Sequence, residues 1–204
     1  MKKLFLILSF VCAALCVSAQ NMRAVFLDAP EWVFPLLTKN CRADLIDFVE
    51  AGMKAEVRNR LDGVSVLNEF DDDYLKLATT ASSTMQIKLL PAQGDTVMCV
   101  VKTVKAEAAD SRIYFYDRSW NLLNAGDRFQ FPSIREFFAS PSAADEHIDV
   151  CDIYLVALTL SADENTLVAE YTMPSYMSKD DADKVNPLLK KITYRWNGAE
   201  FVRE

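Results

Sequence analysis

The sequence has 204 residues, 51% of them apolar, with 22 lysines and arginines against 29 aspartates and glutamates and a formal charge of -7. A surface this acidic repels phosphate backbones and anionic lipid, and no basic cluster offsets it, which argues against nucleic acid as a partner. The apolar content is enough to bury one sizeable core in a single domain, or two smaller ones in two halves.

The chain opens Met1-Lys2-Lys3, runs apolar from Leu4 to Val17 and then reads Val17-Ser18-Ala19-Gln20. A positive start, a short apolar run and a small-residue cleavage site predict a secretory signal over residues 1–19, cut near Ala19, and a mature protein in the periplasm or outside the cell. The run is shorter than the ~20 apolar residues of a membrane span, and no later segment approaches that length. Cys12 follows Val11 and Cys16 follows Leu15, so the small residue that precedes a lipidated cysteine is missing. Loss of Lys2 and Lys3 leaves 20 basic against 29 acidic groups, a charge of -9. Cys41, Cys99 and Cys151 remain; two of them could pair in an oxidising compartment, and no CxxC or Cys/His cluster marks a metal site.

Along the mature chain, Asp28-Ala29-Pro30-Glu31 predicts a helix start, with an aspartate cap and an early proline, and Pro35 should end that helix after about one turn. A second helix is predicted from an Asn40 cap to Ala51, with Gly52 as its stop. From Val64 the pattern changes to strands: "VSVLNEF", "YLKLATT", "MQIKLL", "TVMCVVKTV" and "RIYFYD", separated by turns at Asp71 to Asp73, Ala81 to Ser83 and Pro91 to Asp95. Ser133 and Glu136 form a capping box for a short middle helix. Strand patterns resume in "VCDIYLVALTL" and "TLVAEYT". After a helical turn at Ser178 to Val185, "LLKKITYRW" and "AEFVR" flank the hairpin signal Asn197-Gly198. The expected fold is α+β, with a predominantly antiparallel sheet, N-terminal helices and a short middle helix over residues 20–204. Helices followed by strands, twice over, would also arise from a tandem duplication of halves 20–123 and 133–204; a single antiparallel sheet with helices on one face explains the same pattern.

The segments "NCRADLIDFVEAGMKAEVRNRLDG", "ATTASSTMQIKLLP", "VVKTVKAEAADSRIYFYDRSW" and "NPLLKKITYRWNGAEF" resemble an uncharacterised family of exported proteins, a domain of unknown function, from gut and oral Gram-negative anaerobes. The resemblance implies a periplasmic or extracellular protein whose family carries no assigned activity, catalytic residue or cofactor.

Chemistry-bearing motifs are sparse. Cys41, at a helix start beside Arg42, sits where thiolates are stabilised, and His147 is the single histidine available as a base; together they define a peptidase-type or amidase-type cysteine hydrolase as the alternative reading. Against it, Cys41 shares a helical stripe with Leu45, Phe48 and Val49, which points it inward, while Arg42 belongs with the solvated faces. His147 follows a polar, loop-like stretch. The five glycines lie at least eleven residues apart, which excludes GxGxxG, P-loop and GxSxG signatures. The acidic runs Asp71-Asp72-Asp73 and Asp180-Asp181-Ala182-Asp183 lack the spacing of a calcium loop. No cofactor is implied.

Aromatic residues near strand ends give the leading reading, a non-catalytic binding or interaction protein that takes an envelope protein or a glycan. Tyr114 and Tyr116 share one sheet face, opposite Ile113 and Phe115, and lie near Trp120; Tyr194 and Trp196 share another. If open, these faces offer flat amphipathic surface with Arg112, Asp117 and Arg195 nearby.

Overall fold

The computed structural model describes residues 21–204, so the predicted signal over residues 1–19 lies outside the described residues. It is α+β and antiparallel throughout. Helices α1 (Met22–Asp28) and α2 (Lys39–Glu50) come first, followed by strands β1 (Glu56–Arg58), β2 (Val64–Phe70), β3 (Tyr74–Thr80), β4 (Ser83–Ala92), β5 (Asp95–Lys105), β6 (Ala109–Tyr116) and β7 (Leu122–Leu123). These seven strands pair in sequence order as one meander. Then come α3 (Pro141–His147), β8 (Val156–Leu160), β9 (Thr166–Tyr171), α4 (Lys179–Val185), β10 (Ile192–Trp196) and β11 (Phe201–Arg203), with a second sheet in the order β11-β10-β9-β8. Among the described residues no helix is long and apolar enough to cross a membrane.

The large sheet carries a core on each face, as period-2 alternation requires when both sides are covered. Leu75, Leu77, Met85, Ile87, Met98 and Val100 pack under α1 and α2, while Cys99, Val101, Ile113 and Phe115 pack under the small sheet. Strand β8 crosses the second face, and its free edge is satisfied by side chains of the large sheet. The amides of Val156, Leu158 and Leu160 donate to Asp110 Oδ1, Ser111 Oγ and Gln86 Oε1 at 3.3, 3.0 and 3.0 Å. Gln86 Nε2 donates back to the Leu158 carbonyl, and Lys88 Nζ donates to the Ala162 carbonyl. The polar residues at 86, 88 and 111 are thus buried because they pair an edge that would otherwise carry unsatisfied backbone.

Several sequence expectations are corrected. The first helix ends at Asp28 instead of starting there: Asn21 caps it through Oδ1, Met22, Val25 and Phe26 form its buried stripe, and Pro30 forces Ala29 into extended backbone. Residues 30–37 form two turns. Thr38, not Asn40, caps α2. Arg42 is 2% exposed rather than solvated, because its Nη2 donates to the Leu27 and Ala29 carbonyls and its guanidinium stacks 5.3 Å from the Phe34 ring centroid. The "VCDIYLVALTL" strand begins only at Val156, Ile148–Val150 being a 3-10 turn. The final hairpin closes on a four-residue loop, since Trp196 pairs with Phe201 and Asn197 Oδ1 accepts the amides of Ala199 and Glu200. Strands β1 and β7 have two or three residues each, too few for a periodic signal.

Candidate functional site

Neither half of the suggested cysteine dyad reaches the other. Cys41 is half-buried in the helix layer, where its Sγ accepts the Thr38 hydroxyl at 3.1 Å. His147 is the last residue of α3, not part of a loop; Ala144 of that helix packs into the core on the opposite sheet face, and the nearest carboxylate to His147 is Glu146, 3.8 Å away. The seven-stranded sheet lies between thiol and imidazole, so no nucleophile–base contact forms. Cys99 and Cys151 are free and buried, and burial pushes both thiols up. No group of three or more metal-ligating side chains occurs among the described residues.

The aromatic candidates separate in the same way. Tyr194 and Trp196 are 6% and 7% exposed and belong to the core under the small sheet. Tyr194 packs edge-on against Phe129, Trp196 stacks on Phe115, and Trp196 Nε1 donates to the Pro91 carbonyl at 2.7 Å, which leaves neither ring face open. Tyr114, Tyr116 and Trp120 instead gather on the helix-side face. Tyr116 and Trp120 are nearly buried, with ring centroids 5.4 Å apart, and Tyr114 stacks on Tyr116 and is half-exposed.

Their environment adds residues that the sequence did not single out. Trp32, in the turns after α1, lies 5.7 Å from Tyr116 and 6.4 Å from Trp120 and is 55% exposed. Trp120 itself has φ of 62°, a conformation that costs a bulky residue energy. It is held by the turn around Asp117, whose Oδ1 accepts the amides of Ser119 and Asn121 and whose Oδ2 accepts the Asn121 side chain. Those bonds keep the Asp117 carboxyl below its usual range.

Strand register builds the rest. Leu67, Leu77, Met85, Lys102 and Arg112 form one cross-strand row over β2 to β6. Its apolar end lies under the α2 side. Leu77, Met85 and Lys102 then line a cavity of about 160 Å³ whose other walls are Thr79 and the chain from Val33 through Leu37. Pro35 in that lining is exposed, so the cavity reaches the surface. Lys102 joins the cavity to the aromatic cluster, its ammonium 5.7 Å from the Tyr114 ring centroid, and burial lowers its pKa. Val104 and Leu122, at 60% and 65% exposed, continue the same face, because they pair with Ser83 and Tyr116 across the helix-side register. The product is an open region of sheet, part aromatic, part aliphatic, with two cations and a cavity at one side. The sequence signal for Lys102 was there in "VVKTV", where alternation sets it on the Val100 face, but nothing in the sequence shows that the helices stop short of it.

A family model described as "Protein of unknown function (DUF3256)" matches residues 14–201. The chain belongs to the DUF3256 family. The resemblance expected from the quoted segments is thereby established in its coarser form, a domain of unknown function. This DUF3256 protein is also similar to a solved structure, "Structure of a domain of an uncharacterized protein from Porphyromonas gingivalis W83", at 26% identity and a TM-score of 0.76, with 90% of this chain and 98% of that one covered. No curated protein matches it.

Proposed function

We propose that this DUF3256 protein is an exported, non-catalytic binding protein of the cell envelope, and that it binds a glycan or protein partner through the face formed by Trp32, Tyr114, Tyr116 and Trp120. The export reading rests on the leader-like residues 1–19. The binding reading is carried by one observation: Trp32 is 55% exposed while the rings beneath it, Tyr116 and Trp120, are fixed in the core. A rigid anchored ring pair presenting one open indole supplies contact area at little entropic cost.

Trp32 is the residue to change, since alanine at Trp120 or Trp196 would open a core and confound binding with unfolding. Purified protein and its Trp32→Ala variant should be compared for co-sedimentation with isolated cell-wall sacculi and for binding to a panel of envelope glycans and purified envelope proteins. Trp32→Ala should weaken the best binder about tenfold with the melting temperature unchanged, as loss of an aromatic anchor does. Equal binding by the two proteins would remove this face from the function.

A further inference from the structure

Among the described residues, Lys102 and Arg112 stand directly opposite each other on neighbouring strands, and neither reaches a carboxylate within ion-pair distance. Like charges in such a pair destabilise a sheet. The arrangement is unusual here because the chain carries more acidic than basic groups, and Arg23, Lys39 and Arg60 on the same side of the molecule are all ion-paired. Folding therefore leaves two cations together, one half-buried, beside an apolar cavity whose only charged lining residue is that half-buried lysine.

We infer that the cavity is a binding site for a small amphiphilic carboxylate, its apolar part between Leu77, Met85 and the Val33–Leu37 chain and its carboxylate between Lys102 and Arg112. The volume sets the size. An aliphatic-lined cavity of roughly 150 Å³ admits a benzene-sized molecule, so the apolar part has about six carbons, as in a medium-chain alkanoate or a short aryl alkanoate. The register sets the chemistry. Along the cross-strand row the cavity lining runs from Leu77 and Met85 to Lys102, and Arg112 follows just outside it, an apolar-to-cationic order that matches such a molecule inserted tail first. An anionic head relieves the repulsion between the two cations and restores an interaction to a desolvated ammonium. Tyr114, whose ring lies under the Lys102 ammonium, stands beside the head-group position. This inference uses the same open face as the proposed binding function but not the Trp32 contact.

The test is titration of the purified protein with octanoate, 1-octanol and octylammonium below their micellar concentrations, by calorimetry and by methyl NMR of Met85 and Leu77. Octanoate should saturate a single site, shift those two methyl groups, and bind about tenfold more tightly than 1-octanol, the margin expected of a charge-assisted contact. Lys102→Met should erase that margin while leaving 1-octanol binding unchanged, and Arg112→Leu should reduce it. The inference is overturned if octanoate fails to bind, if 1-octanol binds equally well, if the shifted methyl groups lie elsewhere, or if Lys102→Met leaves the margin intact. A peptide ending in phenylalanine with a free carboxylate, compared with its amide, covers the macromolecular source: binding of that peptide without binding of octanoate overturns the small-molecule assignment. Loss of partner binding in Trp32→Ala with no octanoate site would sink this inference alone, and an octanoate site with unaltered partner binding in Trp32→Ala would sink only the proposed function.

Discussion

Arg42 carries a task that its charge disguises. It stands one turn into α2 and donates through Nη2 to the carbonyls of Leu27 and Ala29, the last turn and the cap of α1, at 3.1 and 2.9 Å. Those are helix-end acceptors with no partner inside their own helix. Burial lowers the guanidinium pKa, and Glu31 and Asp28 nearby oppose that shift. Arg42→Met keeps the packing over Phe34 and removes the donors, so two carbonyls lose their partner. Urea denaturation should show a loss of about 3 kcal/mol, from the desolvation of groups left unpaired. A change below about 0.5 kcal/mol would mean that water or a shifted turn replaces the guanidinium without cost. Residue charge alone could not have revealed this role. A lone arginine after a cap reads as solvated, and only the fold of residues 30–37 brings the α1 carbonyls over it.

At the level of elements, local signals were legible where the physics is local. Strands β2 and β3 have the boundaries that alternation and turn residues give, the Ser133–Glu136 capping box is present, and Ser178 caps α4. What failed was long-range. Alternation puts Tyr194 and Trp196 on one face, as found, but only the packing of Phe129, Phe115 and Phe201 decides that the face is closed. The candidate cavity depends on a cross-strand row drawn from separate strands and on the path of a prolyl turn segment. The polar bonds along the β8 edge are of the same kind, and they make a direct prediction. Gln86, 4% exposed, accepts from the Leu160 amide and the Tyr74 hydroxyl and donates to the Leu158 carbonyl. Gln86→Leu should therefore cost about 3 kcal/mol. It should also speed amide hydrogen exchange at Leu158 and Leu160 more than in the interior of β9, because both backbone partners that Gln86 loses lie on the β8 edge, the third partner being the Tyr74 hydroxyl of β3. Uniform acceleration across both strands would show that β8 does not open separately.

The whole molecule is organised by a sheet that neither flanking layer can do without. Helices α1 and α2 bury one face, the small sheet buries the other, and Val97, Cys99, Val101, Ile113 and Phe115 of the large sheet face the small one. A chain cut after residue 123 would retain every strand of the meander and yet expose that whole row of apolar side chains, each worth roughly 1.5–3 kcal/mol of burial. The segment 20–123 is therefore predicted not to fold alone, whereas the intact protein should unfold in one transition that far-ultraviolet and near-ultraviolet circular dichroism report together. Cys99 gives an independent readout. Its thiol is enclosed and pushed up by burial in the whole protein, so alkylation at neutral pH should be slow until denaturation, and fast in the fragment. A fragment with dispersed amide resonances and a protected Cys99 would make the first half an autonomous unit, which is the behaviour a tandem duplication requires. An exposed Cys99 would instead tie the seven strands to the second sheet as one cooperative body, with the proposed binding face on the side opposite the small sheet.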